Sequence, residues 1–485
     1  MTMAQRAASG IHRPTRRALL RAGAALGVGG GFLTACARQA AVAPATAQPV
    51  TELTFAPWVP SGSFTQPAVS AVMHDALGNF EAQHKGVHVK LVPGNGCCNP
   101  AADMAALLAG KAADVFTEND YWAFAGTNVL LDLAPYLQKD NVSLSLWPTE
   151  ETAALQQGGG ITALPVYYNL QVLVANLTIF NAAGQTPPSR TWDSTQYVQA
   201  ASSVTGTVHG QHRWGCVLAW YGTSGENGMP WLLHGFGGAL TDATRTRCLL
   251  GTKGSIAAGD WVYQQIVWPG VGQVTNTTYW SVWQAFLAGT AAIVPMPPSS
   301  LIAFLSAGGA AGAIDWDFYP NPTFPQGAGT MAEAQYYMIP AATKQPELSW
   351  ELLKWLTAEP VWQTAMMKLY LVPPALISLF DQWEQIVRSV VPSLQTKHLS
   401  VYTDAARSGA LFPYPGFRYN NAQALGVVAT MLNTLAAHKS GVTQAFTLAA
   451  TQIDRIEVAG AAEASGHSST TSSSAAAAQA SGRTG

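Results

Sequence analysis

The sequence predicts an α/β fold, with parallel or mixed sheets covered by helices. Three observations carry this. Strand-like and helix-like patterns alternate as β-α-β-α-β over residues 51–116. The chain has 485 residues, 48% hydrophobic and 11% charged, which is long enough for two lobes and too apolar for disorder. No uninterrupted apolar run is long enough to cross a bilayer as a folded protein's helix.

Glu52 to Val59 reads as the first strand, with Leu53 and Phe55 alternating against polar neighbours. Pro67 opens a helix in which Val69, Val72, Met73, Ala76, Leu77 and Phe80 form one apolar stripe. Gly86 supplies its stop. Val87, Val89 and Leu91 alternate as a second strand, 101–109 is a second helix, and 113–116 is a short buried strand. Residues 161–168 are strand-like, and 255–267 and 280–288 are helical. The strand 290–296 ends at Pro297-Pro298, after which Ser299 and Ser300 suit the cap of a helix starting near Leu301. Gln345-Pro346-Glu347 opens a helix carrying Leu348, Leu352, Leu353 and Leu356, and the last helix is expected at 442–456.

The N-terminus reads as a processing signal. Its first 35 residues hold five arginines and no acid, so removing them takes the net charge from −2 to −7. Arg16-Arg17 is a twin-arginine pattern, followed by an apolar stretch from Ala22 to Ala35. Leu33-Thr34-Ala35-Cys36 resembles the lipobox of bacterial lipoproteins, which implies cleavage after 1–35 and lipidation of Cys36. Residues 36–50 form an Ala/Pro-rich tether, and 459–485 read as a disordered Ser/Ala-rich tail. Cys97, Cys98, Cys216 and Cys248 remain; export permits disulfides, and four cysteines allow three connectivities. Cys216–Cys248 is the preferred bridge, with free thiols as the alternative.

A mildly acidic chain without a basic run argues against nucleic acid as a partner. His234-Gly235-Phe236-Gly237-Gly238 has the composition of an esterase oxyanion loop, but G-x-S-x-G is absent and the loop follows Ser224 instead of preceding it. Neither a P-loop nor H-E-x-x-H occurs, and Gly86 breaks any helix that would pair His84 with His88. No enzyme activity, cofactor or metal is therefore expected.

The segments 80–89, 108–116, 130–137, 161–165, 179–184, 191–193, 285–292, 345–359 and 371–375, taken in order, resemble the family 1 extracellular solute-binding proteins of ABC importers, the maltose-binding-protein-like group. Ala112-Ala113-Asp114 departs from the pattern in lacking a proline before the Asp. The resemblance implies a two-lobe periplasmic-binding-protein-like fold of type II, with a ligand cleft at the hinge. Lobe 1 would be 51–164 plus 297–340, and lobe 2 would be 169–292 plus 346–458. It also implies a membrane-anchored monomer that binds a small solute, a sugar above all, and passes it to ABC permease subunits. A polyamine, glycerol phosphate or peptide is the alternative solute.

A sugar needs aromatic rings against its C–H faces and amide or carboxyl groups around its hydroxyls. In such sheets ligands sit at the carboxyl ends of strands. That rule selects Trp58 after the first strand and Glu118, Asn119, Asp120 and Trp122 after the third. In the second lobe it selects Trp220, Tyr221, Glu226 and Asn227. The crossings offer Met296 and Trp316, and the strand before the late helix offers Gln335, Tyr336 and Tyr337.

Overall fold

The computed structural model describes residues 50–58, 66–95, 99–124, 127–156, 160–219, 229–275, 279–309 and 314–481. Cys36, Cys97 and Cys98 lie outside them.

Among the described residues twelve strands form two mixed sheets. They are β1 (Thr51–Ala56), β2 (Val87–Leu91), β3 (Val115–Glu118), β4 (Ala163–Leu170), β5 (Val172–Asn176), β6 (Gly206–Val208), β7 (Gln211–Ala219), β8 (Gly272–Thr275), β9 (Ala291–Met296), β10 (Trp316–Tyr319), β11 (Thr330–Met338) and β12 (Leu411–Pro413). The first sheet has the order β12-β11-β3-β1-β2, with β4 on the other edge of β11. The second has the order β10-β5-β9-β7-β6, with β8 beside β7. The predicted stripe on the first helix is realised over Pro67–Gln83, where Met73, Ala76, Leu77 and Phe80 are buried. Gly86 then takes φ +85°, a left-handed turn that a Cβ would strain.

The chain passes between the sheets three times: at Gln171 between β4 and β5, between β10 and β11, and after β12. The buried Asn321 ties the first two crossings together, because its amide donates to the carbonyls of both Gln171 and Gly329 at 3.0 Å. Two segments lie differently from expectation. β10, assigned to lobe 1 from sequence, pairs antiparallel with β5 in the second sheet. The helices Pro346–Ala358 and Pro360–Tyr370, assigned to lobe 2, pack on the first sheet and the helix Pro67–Gln83. Their Trp355 and Trp362 pack against Phe80 and Phe55, and Trp350 against Tyr136, so the chain returns to the second sheet only after β12. Residues 424–453 then join Tyr197, Tyr263 and Ile266 in the second core.

Ser300 begins the short helix Leu301–Phe304 without making a side-chain cap bond. The final helix runs Val442–Ser481, through most of the segment read as a disordered tail, in keeping with the helix propensity of its alanines. No helix among the described residues is long and apolar enough to cross a membrane.

The preferred disulfide is absent: Cys216 and Cys248 are free and buried. Each thiol has its own surroundings. Cys216 Sγ lies beside Tyr197, and a Cβ added at Gly272 would stand 2.5 Å from it. Cys248 donates its backbone N–H to Asp454. Burial pushes both thiols up to about 12, and the thiolate is the reactive form. Alkylation of the native protein at neutral pH is expected to spare both cysteines, and alkylation in denaturant to modify both. Recovery of a Cys216–Cys248 cross-linked peptide would contradict this structure.

Candidate functional site

The carboxyl end of β3 leads into a tight turn, Tyr121–Phe124, and brings four predicted residues together. Glu118 organises the bend. Its Oε1 accepts the backbone N–H groups of Asn119 and Asp120 at 2.7 and 3.1 Å, and its Oε2 accepts that of Asn99 at 3.0 Å. Burial, the Asp120 charge and a hydrogen bond shared with Asp103 push its carboxyl up to about 9. Asn119 turns inward, where its Nδ2 donates to Glu333 of β11 at 2.9 Å; Asn169 Nδ2 donates to the other oxygen of that carboxyl at 3.0 Å. Glu118 and Asn119 thus support the loop from behind.

Asp120 and Trp122 face a cavity of about 680 Å³. This lies within the usual range of small-molecule sites, roughly 300–1,000 Å³. Its opposite wall comes from the segment after β12: Tyr414, Phe417, Tyr419, Asn420, Asn421 and Gln423. Asn99 and Met104 close one side. Burial and the neighbouring Glu333 push the Asp120 carboxyl up to about 7, opposed by Arg245 and a hydrogen bond from Asn421. The Trp122 ring is 5% exposed. Gly416 allows the chain to pass against it, since a Cβ there would stand 2.4 Å from the indole Cζ2.

Arg245 crosses to this loop from the other half of the molecule. Its guanidinium lies 3.9 Å over the Trp122 ring and donates to the Tyr414 carbonyl at 2.6 Å. It also faces Asp120, Tyr121 and Glu151. The residue takes φ +62°, uncommon without glycine. A compact turn holds it there: Asp242 Oδ1 accepts the N–H groups of Thr246 and Arg247, and the Arg245 N–H donates to the Asp242 carbonyl. Glu151, fully buried, accepts the Tyr336 hydroxyl at 2.6 Å, and burial holds its carboxyl near 7.

The other predicted residues that the structure describes have structural partners and do not line the cavity. Trp58 is half-buried against Tyr167 and Tyr370 at the end of β1. Gln335 donates to Thr117 Oγ1 and accepts the Tyr167 hydroxyl; Tyr336 bonds Glu151; Tyr337 accepts Trp362 Nε1. These β11 side chains are buried beneath the flanking elements. Met296 is buried, with its carbonyl bonded by Tyr402, and Trp316 packs edge-on against Phe304 and Phe318. Trp220, Tyr221, Glu226 and Asn227 lie outside the described residues. The sequence reading missed the 414–423 wall and Arg245. The available signal was the run Phe412-Pro413-Tyr414-Pro415-Gly416-Phe417-Arg418-Tyr419-Asn420-Asn421, which interleaves aromatic rings and amides in a loop. Among the described residues no group of three His, Cys, Asp or Glu is arranged to hold a metal ion.

Two sheets with a cavity beside the crossings define a binding protein of two-lobe architecture. The chain belongs to the bacterial extracellular solute-binding protein family, whose model matches residues 56–361. Solved structures share the fold at low identity. An ABC substrate-binding protein from Listeria monocytogenes in complex with cycloalternan is 15% identical, with TM-score 0.64, covering 84% of this chain and 99% of that one. The cyclic alpha-maltosyl-1,6-maltose binding protein from Arthrobacter globiformis is 16% identical, with TM-score 0.65 and coverages of 84% and 99%. UspC of M. tuberculosis is 15% identical, with TM-score 0.65 and coverages of 83% and 99%.

The raised Asp120 carboxyl sets a pH dependence. The folded chain keeps a proton that the unfolded chain releases between the ordinary value of 3.8 and about 7, so this group's contribution to stability falls as pH rises through that interval. Urea midpoints measured across it should decline with rising pH less steeply for Asp120→Asn than for the wild type. Identical slopes would show that Asp120 titrates normally.

Proposed function

We propose that this protein captures a carbohydrate in the cavity between the β3 loop and the 414–423 segment. One observation carries the reading: aromatic rings (Trp122, Tyr414, Phe417, Tyr419) and hydrogen-bonding groups (Asp120, Asn420, Asn421, Gln423) line the same 680 Å³ space. Rings cover the apolar faces of a sugar, while amides and carboxyls meet its hydroxyls. Structural relatives described as complexes with, or binders of, cyclic saccharides support the choice of ligand.

In this reading the protein serves an ABC importer. It acts outside the cytoplasm, tethered through lipid on Cys36 after removal of a twin-arginine signal, and hands its ligand to the permease as a monomer. Ligand binding favours the closed arrangement and stabilises the fold by mass action.

A thermal-shift screen against mono-, di- and oligosaccharides, polyamines, glycerol phosphates and peptides tests the ligand class. A saturable rise with one saccharide class is expected, whereas a rise with polyamines alone would replace the carbohydrate reading. For the saccharide that binds, Tyr419→Ala should weaken affinity roughly tenfold or more by calorimetry, through lost ring burial. Unchanged affinity would move the site away from this wall.

A further inference from the structure

Beyond the cavity lies a second pocket of about 250 Å³, lined by His234, Leu240, Asp242, Arg245, Phe412 and Pro413. The two spaces share one strip of chain: Tyr414 faces the first, and Phe412, Pro413 and Pro415 face the second. The side-chain part of the partition is Arg245. It lines the second pocket, while its guanidinium covers one face of Trp122 and bonds the Tyr414 carbonyl, both on the wall of the first. The second pocket also has the chemistry of a sugar subsite. His234 stacks on Phe412 with ring centroids 4.6 Å apart and 13° between planes, beside Thr241 and Asp242.

We propose that Arg245 sets the length of saccharide the cleft accepts, by closing the main cavity off from the pocket around His234 and Phe412. This rests on the carbohydrate reading of the main cavity. The guanidinium sits over the indole, where a further sugar ring would stack, so it stands in the way of a chain extending from the main cavity. The rigid fork is well suited to such a stop: it is 9% exposed, and its turn is fixed by the Asp242 and Arg418 hydrogen bonds. Shortening the side chain would join the two spaces along the uncovered face of Trp122.

The experiment compares binding of a linear saccharide series, graded by length, to wild type, Arg245→Gly and Arg245→Met. Glycine suits the left-handed φ and removes the partition; methionine keeps the bulk and removes the charge. Both variants lose the counter-charge to Asp120 and Glu151, so the difference between them isolates bulk. Arg245→Gly should shift relative affinity towards longer members by roughly tenfold, while Arg245→Met keeps the wild-type length preference. The same length profile in all three proteins, or the same shift in both variants, overturns the proposal. If Arg245→Gly does not fold by circular dichroism, Arg245→Asn, which also tolerates this φ, supplies the short side chain under the same criteria. A wild type that binds no saccharide of any length removes the carbohydrate reading and this proposal with it.

Discussion

One guanidinium faces a group of buried carboxyls, and the arrangement of the cavity depends on it. Asp120 and Glu151 are buried and both held near 7, and Arg245 is the cation that lowers each. Burying a carboxylate is costly unless a donor or a cation meets it. Glu333 has two asparagine amides and Glu118 has three backbone N–H groups. Asp120 and Glu151 have less hydrogen bonding of that kind, and the permanently charged Arg245 supplies the difference. The same side chain bonds the Tyr414 carbonyl and covers Trp122, so it joins the turn at 242–247, the β3 loop and the segment after β12.

This arrangement connects electrostatics to opening. Separating the two halves would remove Arg245 from Trp122 and leave the carboxyls to water or to protons. A ligand that bonds Asp120 on one wall and Asn420 or Gln423 on the other adds interactions available only when the walls approach, which is the differential affinity that a shift towards closure requires.

Local elements were legible in the sequence wherever periodicity carried them. The helix at Pro67 showed its stripe because its apolar side chains face one core, shared with the first sheet and the helix Pro360–Tyr370. The β3 end was legible because a strand followed by Glu-Asn-Asp leaves polar groups at the sheet's edge. Membership of long-range layers was not legible. The Pro346 helix has the same amphipathic pattern whichever sheet receives it, and only the packing of Trp355 on Phe80, with Trp362 of the next helix on Phe55, decides. Arg245 sits in a Thr/Arg-rich turn whose sequence looks like ordinary surface; its reach to Trp122 comes from a left-handed backbone and from tertiary placement.

Tryptophan abundance does not by itself mark the cleft. The chain has sixteen. Trp147, Trp192, Trp231, Trp316, Trp350, Trp355, Trp362 and Trp383 are among its most fully buried side chains. Large rings fill irregular gaps between helices and sheet, so their number reports the volume of the core more than the chemistry of the cleft. The cavity's own aromatic wall is chiefly tyrosine and phenylalanine from one loop.

The most direct test of the central claim is a crystal structure of the protein with a saccharide that stabilises it. The account predicts density for the sugar between Asp120 and Trp122 on one side and Tyr419 and Asn421 on the other. Density bound elsewhere, with this cavity occupied only by solvent, would contradict it.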